Sequence, residues 1–407
     1  SSTNPSTISE TQNLLKDDEA LVVFSIGTST SYVHLVKKND FHFIQVDVDE
    51  ANLRDAVREL RLSLSPKNVS SLGDIPPFNQ TVAFDLYRSL LAPISDKLDD
   101  IQLLLTVSSG SLESLPLGVL ITDKPKQEFT DFSGYKQVPW LAKKYALAVL
   151  PSVSSLKSLR EFAKQSIADK PFLGFGDPDL DGHSGSRGQL KLADLITRNG
   201  LANVDRLRDL GGLPDTADEI RAIAKTLNAD EDSIYLGARA TETIIKNLNL
   251  SEARVISFAT HGLLAGEIDG LVEPGLVLTP PKEPTEIDDG YLSASEISQL
   301  NLNADWVILS ACNTAAPNGN LGAEGLSGLA QAFFYAGSRS LLVSHWPVIS
   351  DAAKKLTTSM FRQNTEKGVG KARALQIAML SFFEEKTPAY MAHPLFWAPF
   401  SVVGEPN

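Results

Sequence analysis

From about residue 214 onward, short β-branched and aliphatic runs alternate with helical segments, and no other feature constrains the fold as tightly. The pattern predicts helices over 215–227, 241–249, 294–300, 324–336, 351–363 and 371–383. Between them it predicts strands over 233–236, 254–259, 305–310 and 340–344, with Gly337 as the C-cap of the fourth helix. A short apolar strand, 171–176, precedes this region and ends in glycine. Strands joined through helices lie parallel, and a parallel sheet is covered on both faces.

The first 165 residues read differently. A polar, Ser/Thr-rich lead-in over 1–15 is expected to fray. Runs at 21–26, 32–36 and 41–46 read as a strand meander. Asp49 then caps a helix with Leu53, Val57, Leu60 and Leu64 on one face. A loop over 65–79 and a helical stretch over 80–98 lead to buried strands at 101–107 and 146–150, and a Ser-capped helix over about 152–165. The expected architecture is therefore α/β: a mostly parallel sheet flanked by helices over 166–407, preceded by a smaller α/β lobe over 1–165.

With 407 residues and 43% hydrophobic content, two ordinary domains can each bury a core. Against 37 Lys and Arg stand 50 Asp and Glu, a net charge of −13. That balance argues against direct nucleic-acid binding, which rests on phosphate neutralisation. It also argues against an anionic membrane surface and mildly favours a basic substrate. A single cysteine excludes a disulfide framework and any multi-cysteine metal site. No apolar run reaches the roughly 18 residues that a spanning helix needs, and the first residues show no basic n-region followed by an apolar h-region. A cytoplasmic setting is expected. The start, Ser-Ser-Thr-Asn-Pro without Met, is what a piece of a longer protein would show.

Several motifs fail on inspection. Gly174-Phe175-Gly176 begins like a dinucleotide fingerprint, but Asp179 stands where the third glycine belongs. There is no P-loop and no Gly-x-Ser-x-Gly elbow. Asp177-Pro178-Asp179-Leu180-Asp181-Gly182 copies half of a calcium loop, yet its twelfth position is Gly188 instead of Glu. A solvated acidic turn explains that segment better.

One pair of residues stands out. His261 follows the strand 254–259 and Cys312 follows the strand 305–310, both where a parallel strand runs out into a loop. A cysteine thiol is mostly protonated at neutral pH, so as a nucleophile it wants an imidazole beside it. His261 precedes Cys312 by 51 residues, as in caspase-type peptidases, where the histidine lies about 50 residues upstream. Gly262, lacking a Cβ, lets its backbone N–H approach a developing oxyanion. A lone strand cysteine is more often a small buried hydrophobe; the conjunction with His261 is what argues for chemistry. His34, His42, His183 and His393 have no comparable setting, and His345 reads as packing beside Trp346. No third ligand suggests a metal site.

Ser257-Phe258-Ala259-Thr260-His261-Gly262 and Leu309-Ser310-Ala311-Cys312-Asn313-Thr314 resemble the two signature motifs of the CHAT domain. That family comprises caspase- and separase-like cysteine peptidases, often attached to tetratricopeptide repeats. The resemblance continues through 290–297, 322–337, Trp346-Pro347-Val348 with Asp351, and 394–400; it departs at His345, where many members carry an apolar residue. It implies a caspase-like 166–407 behind a pseudo-protease-like 1–165. It also implies Cys312 as nucleophile, His261 as base, and the N–H groups of Gly262 and Cys312 as the oxyanion hole, with no cofactor or metal. The expected substrate is a protein, such as a gasdermin-like or other defence-related one. A repeat region or regulatory partner would control the activity. In such folds the loop holding Asp351 helps to form the pocket for the residue before the cut, and a carboxylate there implies cleavage after Arg or Lys. Asp351 also reads as an N-cap for the helix that follows. The alternative is a catalytically idle module kept for protein interaction or scaffolding.

Overall fold

In the computed structural model, residues 6–66, 71–129, 131–162, 166–181, 201–263, 273–310 and 328–407 are described. Packing divides them into two units, Ser1–Ala163 with Lys355–Asn407, and Lys164–Lys354.

In the first unit, β1 (Glu19–Ser25), β2 (Ser31–Lys37) and β3 (Asp40–Val46) form the expected antiparallel meander. From β1 the sheet continues in parallel through β4 (Leu103–Val107) and β5 (Ala146–Val149). The C-terminal strand Phe400–Gly404 then pairs in parallel with β5. That pairing is why 355–407 packs with the amino-terminal residues, whereas a division at 165/166 assigns it to the second part of the chain. Helix α1 (Glu50–Leu64) starts where Asn52 N–H donates to the Asp49 carboxylate at 2.7 Å, and it buries Leu53, Val57, Leu60 and Leu64. The lead-in is not frayed throughout. Ile8–Leu14 is helical, because Thr7 and Glu10 form a capping box and Thr11 and Leu15 are buried beneath it. Arg160 joins distant parts of this unit. Its guanidinium meets both oxygens of the buried Glu19 carboxylate, at 2.6 and 2.9 Å, and reaches Glu405 at 3.2 Å.

The second unit holds β6 (Lys170–Pro178), β7 (Ile234–Gly237) and β8 (Ala253–Ala259), with β9 (Gly262–Leu263), β10 (Gly275–Val277) and β11 (Tyr291–Ser293) making a small antiparallel sheet. With β12 (Trp306–Leu309) and β13 (Ser340–Ser344), the main strands run in the order β13-β12-β8-β6-β7, every pair parallel. Helix α2 (Asp215–Thr226) lies against β6 and explains the glycine pair of that strand. A Cβ on Gly174 would stand 2.6 Å from Ile220 Cγ2, and one on Gly176 would stand 3.1 Å from Ile220 Cγ1. These glycines admit a helix; they do not cradle a phosphate. Gly337, with φ +112°, ends helix α3 (Gly328–Ala336) as expected, and its Cα faces the Leu302 carbonyl closely enough to exclude any side chain. Helix α4 (Ser350–Lys367) begins before Asp351, which therefore sits in its first turn and is not its cap. No described helix is long and apolar enough to cross a membrane.

Candidate active site

In the second unit, β7 flanks β6 on one side and β8, β12 and β13 step away on the other. Connections diverge at the C-terminal ends of β6 and β8, the place where open α/β sheets form their crevices. His261 comes two residues after the end of β8. On the adjacent parallel strand, Leu309 is in register with Phe258, and the Ser310 N–H donates to the Phe258 carbonyl at 3.0 Å. The strand ends that lead to His261 and to Cys312 are thus neighbours. Cys312 itself lies outside the described residues, as does the rest of 311–327.

His261 is buried, with 7% of its surface exposed. Its main-chain carbonyl accepts from Val277 N–H at 2.9 Å, and the Thr260 hydroxyl donates to the Val277 carbonyl. These bonds tie the segment to β10. The imidazole Nε2 lies 2.7 Å from the Gly211 carbonyl oxygen. A carbonyl can only accept, so Nε2 carries the proton and Nδ1 is the basic nitrogen. This backbone oxygen fixes the tautomer.

Shortly after Gly211, the start of α2 is tied down on both sides. The Thr216 hydroxyl donates to the Leu213 carbonyl at 2.7 Å and accepts from Asp177 N–H at 2.8 Å, joining the helix to the end of β6. Asp177 has φ +45°, the left-handed conformation that Asp tolerates in turns. Burial pushes its carboxyl up, Arg221 opposes that, and Asp179 adds to it. Among the described residues no group of three or more His, Cys, Asp or Glu is arranged to hold a metal, and the acidic segment from 182 to 188 lies outside them.

One turn further along α2 comes Glu219. Its side chain is buried, and the Ser310 hydroxyl donates to Oε2 at 3.0 Å. Burial pushes this carboxyl up to about 7, with the Ser310 hydrogen bond pulling the other way. Sequence reasoning passed over both Gly211 and Glu219. The first offers only a carbonyl; the second carried a signal, as a charged residue four positions before Ile223 on the buried face of its helix.

The remaining candidates fall as follows. Gly262 is buried in β9 opposite Leu276. Asp351 is exposed; its neighbour Ser350 donates to Asp215 Oδ2 at 2.9 Å, so two helix starts bring Asp215 close to the Asp351 segment. His345 is buried with its ring 6.2 Å from that of Trp346, as expected.

The sequence pattern of the CHAT domain matches residues 80–405. The chain belongs to the CHAT domain family. Tetratricopeptide repeat protein 28 of Mus musculus is 34% identical over 224 residues, 48% of this chain and 9% of that protein. Its counterpart in Homo sapiens is 23% identical over 93% of this chain and 15% of that protein. This CHAT chain therefore spans a small part of the curated relatives it matches. Among solved structures, the Saccharomyces cerevisiae separase–securin complex aligns with a TM-score of 0.53 at 11% identity, covering 97% of this chain and 30% of that one. At that identity the likeness concerns the fold, a caspase-like, mostly parallel sheet flanked by helices.

Proposed function

We propose that this CHAT chain is a cysteine endopeptidase with Cys312 as nucleophile and His261 as base. The observation that carries the reading is the Gly211–His261 hydrogen bond. It leaves Nδ1 as the basic nitrogen at the sheet edge where the adjacent strand leads to the thiol. Nδ1 takes the Cys312 proton and the thiolate attacks the scissile carbonyl carbon. The backbone N–H groups of Gly262 and Cys312 would receive the oxyanion. Collapse expels the amine, which takes the proton from His261, and leaves a thioester. His261 then removes a proton from water as the hydroxide adds to the thioester carbonyl; collapse breaks the C–S bond, the Cys312 sulfur takes the proton back from His261, and the acid product is released. No metal or organic cofactor enters these steps.

Asp351 would bind a basic side chain before the cut, Arg ahead of Lys because a guanidinium can engage a carboxylate through two parallel bonds. Residues 1–165 would serve as a pseudo-protease-like structural lobe to 166–407, and a tetratricopeptide-repeat region or protein partner would regulate access. The substrate would be a protein, a gasdermin-like one among the candidates. A peptide-library cleavage profile of wild type against Cys312→Ala and His261→Ala tests the reading. Cleavage lost in both variants supports it. A wild-type Cys312 that alkylates no faster than a free thiol, with no effect of His261→Ala, would show an idle interaction module instead.

A further inference from the structure

We infer that Glu219 is a positioning residue for the nucleophile: its carboxyl holds Ser310 at the end of β12 and so fixes the departure of the chain toward Cys312, two residues on. The inference rests on the peptidase reading above. Glu219 lies on the face of α2 that otherwise buries Ala217, Ile220, Ile223 and Ala224. Packing alone would be served better by an aliphatic side chain there, since a buried carboxyl loses its hydration. What it gains is one hydrogen bond from Ser310 to Oε2, while Oε1 is buried and has no hydrogen-bond partner among the described residues. The other end of the same segment, Gly211, orients His261 through its carbonyl. Thr216, between them, is bonded to both Leu213 and the end of β6. A single stretch of nine residues, 211–219, thus bonds the imidazole of one member of the proposed dyad and the strand end that leads to the other. Burial makes the neutral acid accessible near neutral pH, which lets the carboxyl stay in this layer with no cation beside it among the described residues.

The test uses the full chain, with variants Glu219→Gln, Glu219→Ala, Ser310→Ala and the double alanine variant. The readouts are the alkylation rate of Cys312 by iodoacetamide and kcat and KM on a peptide chosen from the library. Losing one positioning hydrogen bond should lower kcat and the alkylation rate roughly ten- to a hundredfold in either alanine variant, with KM within about threefold. The double variant should be no worse than the singles, because both remove the same bond. Glu219→Gln, whose amide oxygen can still accept from Ser310, should stay within about threefold of wild type. A folded Ser310→Ala chain with wild-type kcat and alkylation overturns the inference, as does Glu219→Gln impaired as deeply as Glu219→Ala. If Glu219→Ala does not fold, Ser310→Ala and Glu219→Gln still decide. A wild-type Cys312 no more reactive than a free thiol sinks the peptidase reading and this inference together, whereas a reactive wild type with indifferent variants sinks only this one.

Discussion

Replacing Glu219 by Gln should change how stability depends on pH. In the unfolded chain this carboxyl ionises near its ordinary 4.5; in the folded protein it holds its proton until about 7. Between those values the folded state binds more protons, so the group lowers stability as pH rises, and the loss is complete above about pH 7. About 2.5 pH units at 1.36 kcal/mol each give about 3 kcal/mol. No discount for solvent screening applies, because the side chain is buried. Gln does not titrate, so its own cost, whatever its size, is constant across the range. Urea melts of both chains at about pH 5, 6, 7 and 8 should show the stability difference shifting in favour of Glu219→Gln by about 2–3 kcal/mol from the lowest to the highest pH. All other ionisable groups are common to both chains and cancel in the difference. Curves that run parallel across this range would refute the buried, neutral carboxyl.

Arg160→Met should cost about 3–5 kcal/mol in a urea melt, since it strands the buried Glu19 carboxylate without its bidentate partner. Adding Glu19→Gln should recover much of that loss; an Arg160→Met chain as stable as wild type would contradict it. Asp351→Asn should lower kcat/KM on an Arg substrate by roughly ten- to a thousandfold, the loss of a charge-assisted pair. Because Asp351 is exposed in the first helical turn, its melting temperature should fall little. Efficient cleavage after Asp by the wild type, or unchanged Arg cleavage by the variant, would dismiss this pocket. A chain starting at residue 166 should lose solubility or melt much lower, because the C-terminal strand loses β5 as its partner; full activity and unchanged melting would refute a structural role for 1–165.

The elements that the sequence displays are those in which each residue is chosen by burial. The α1 stripe of Leu53, Val57, Leu60 and Leu64 is legible because one helix face packs and the other does not. The alternation after residue 214 is legible because parallel strands are apolar on both faces and stand out from amphipathic helices. What stayed hidden lacks such a signature. Phe400–Gly404 is a five-residue strand at the end of the chain, and its β5 partner is far away in sequence, so local pattern cannot reveal the pairing. β9, β10 and β11 have two or three residues each, too few to show a period. The amino-terminal helix looks like polar lead-in because it buries so little, although Thr7 and Glu10 spell its capping box.

The candidate site divides along a similar line. His261 and Cys312 are legible because imidazole and thiol are scarce side chains, and both follow strands that the pattern makes parallel neighbours. The group that bonds His261 Nε2 is a backbone carbonyl, and every residue has one. No reading of residue types could have singled out Gly211. Asp351 differs from its expected role by a single position. Helix α4 takes in Ser350, which moves the carboxylate from the cap into the first turn, where it still faces the positive end of the helix. Glu219 is the instructive miss. Its place on the apolar stripe of α2 conflicts with its chemistry, and such a conflict is resolved either by a hydrogen-bond partner in the core or by a shifted titration. Glu219 has both, and the partner is the residue at which the chain leaves β12 for Cys312.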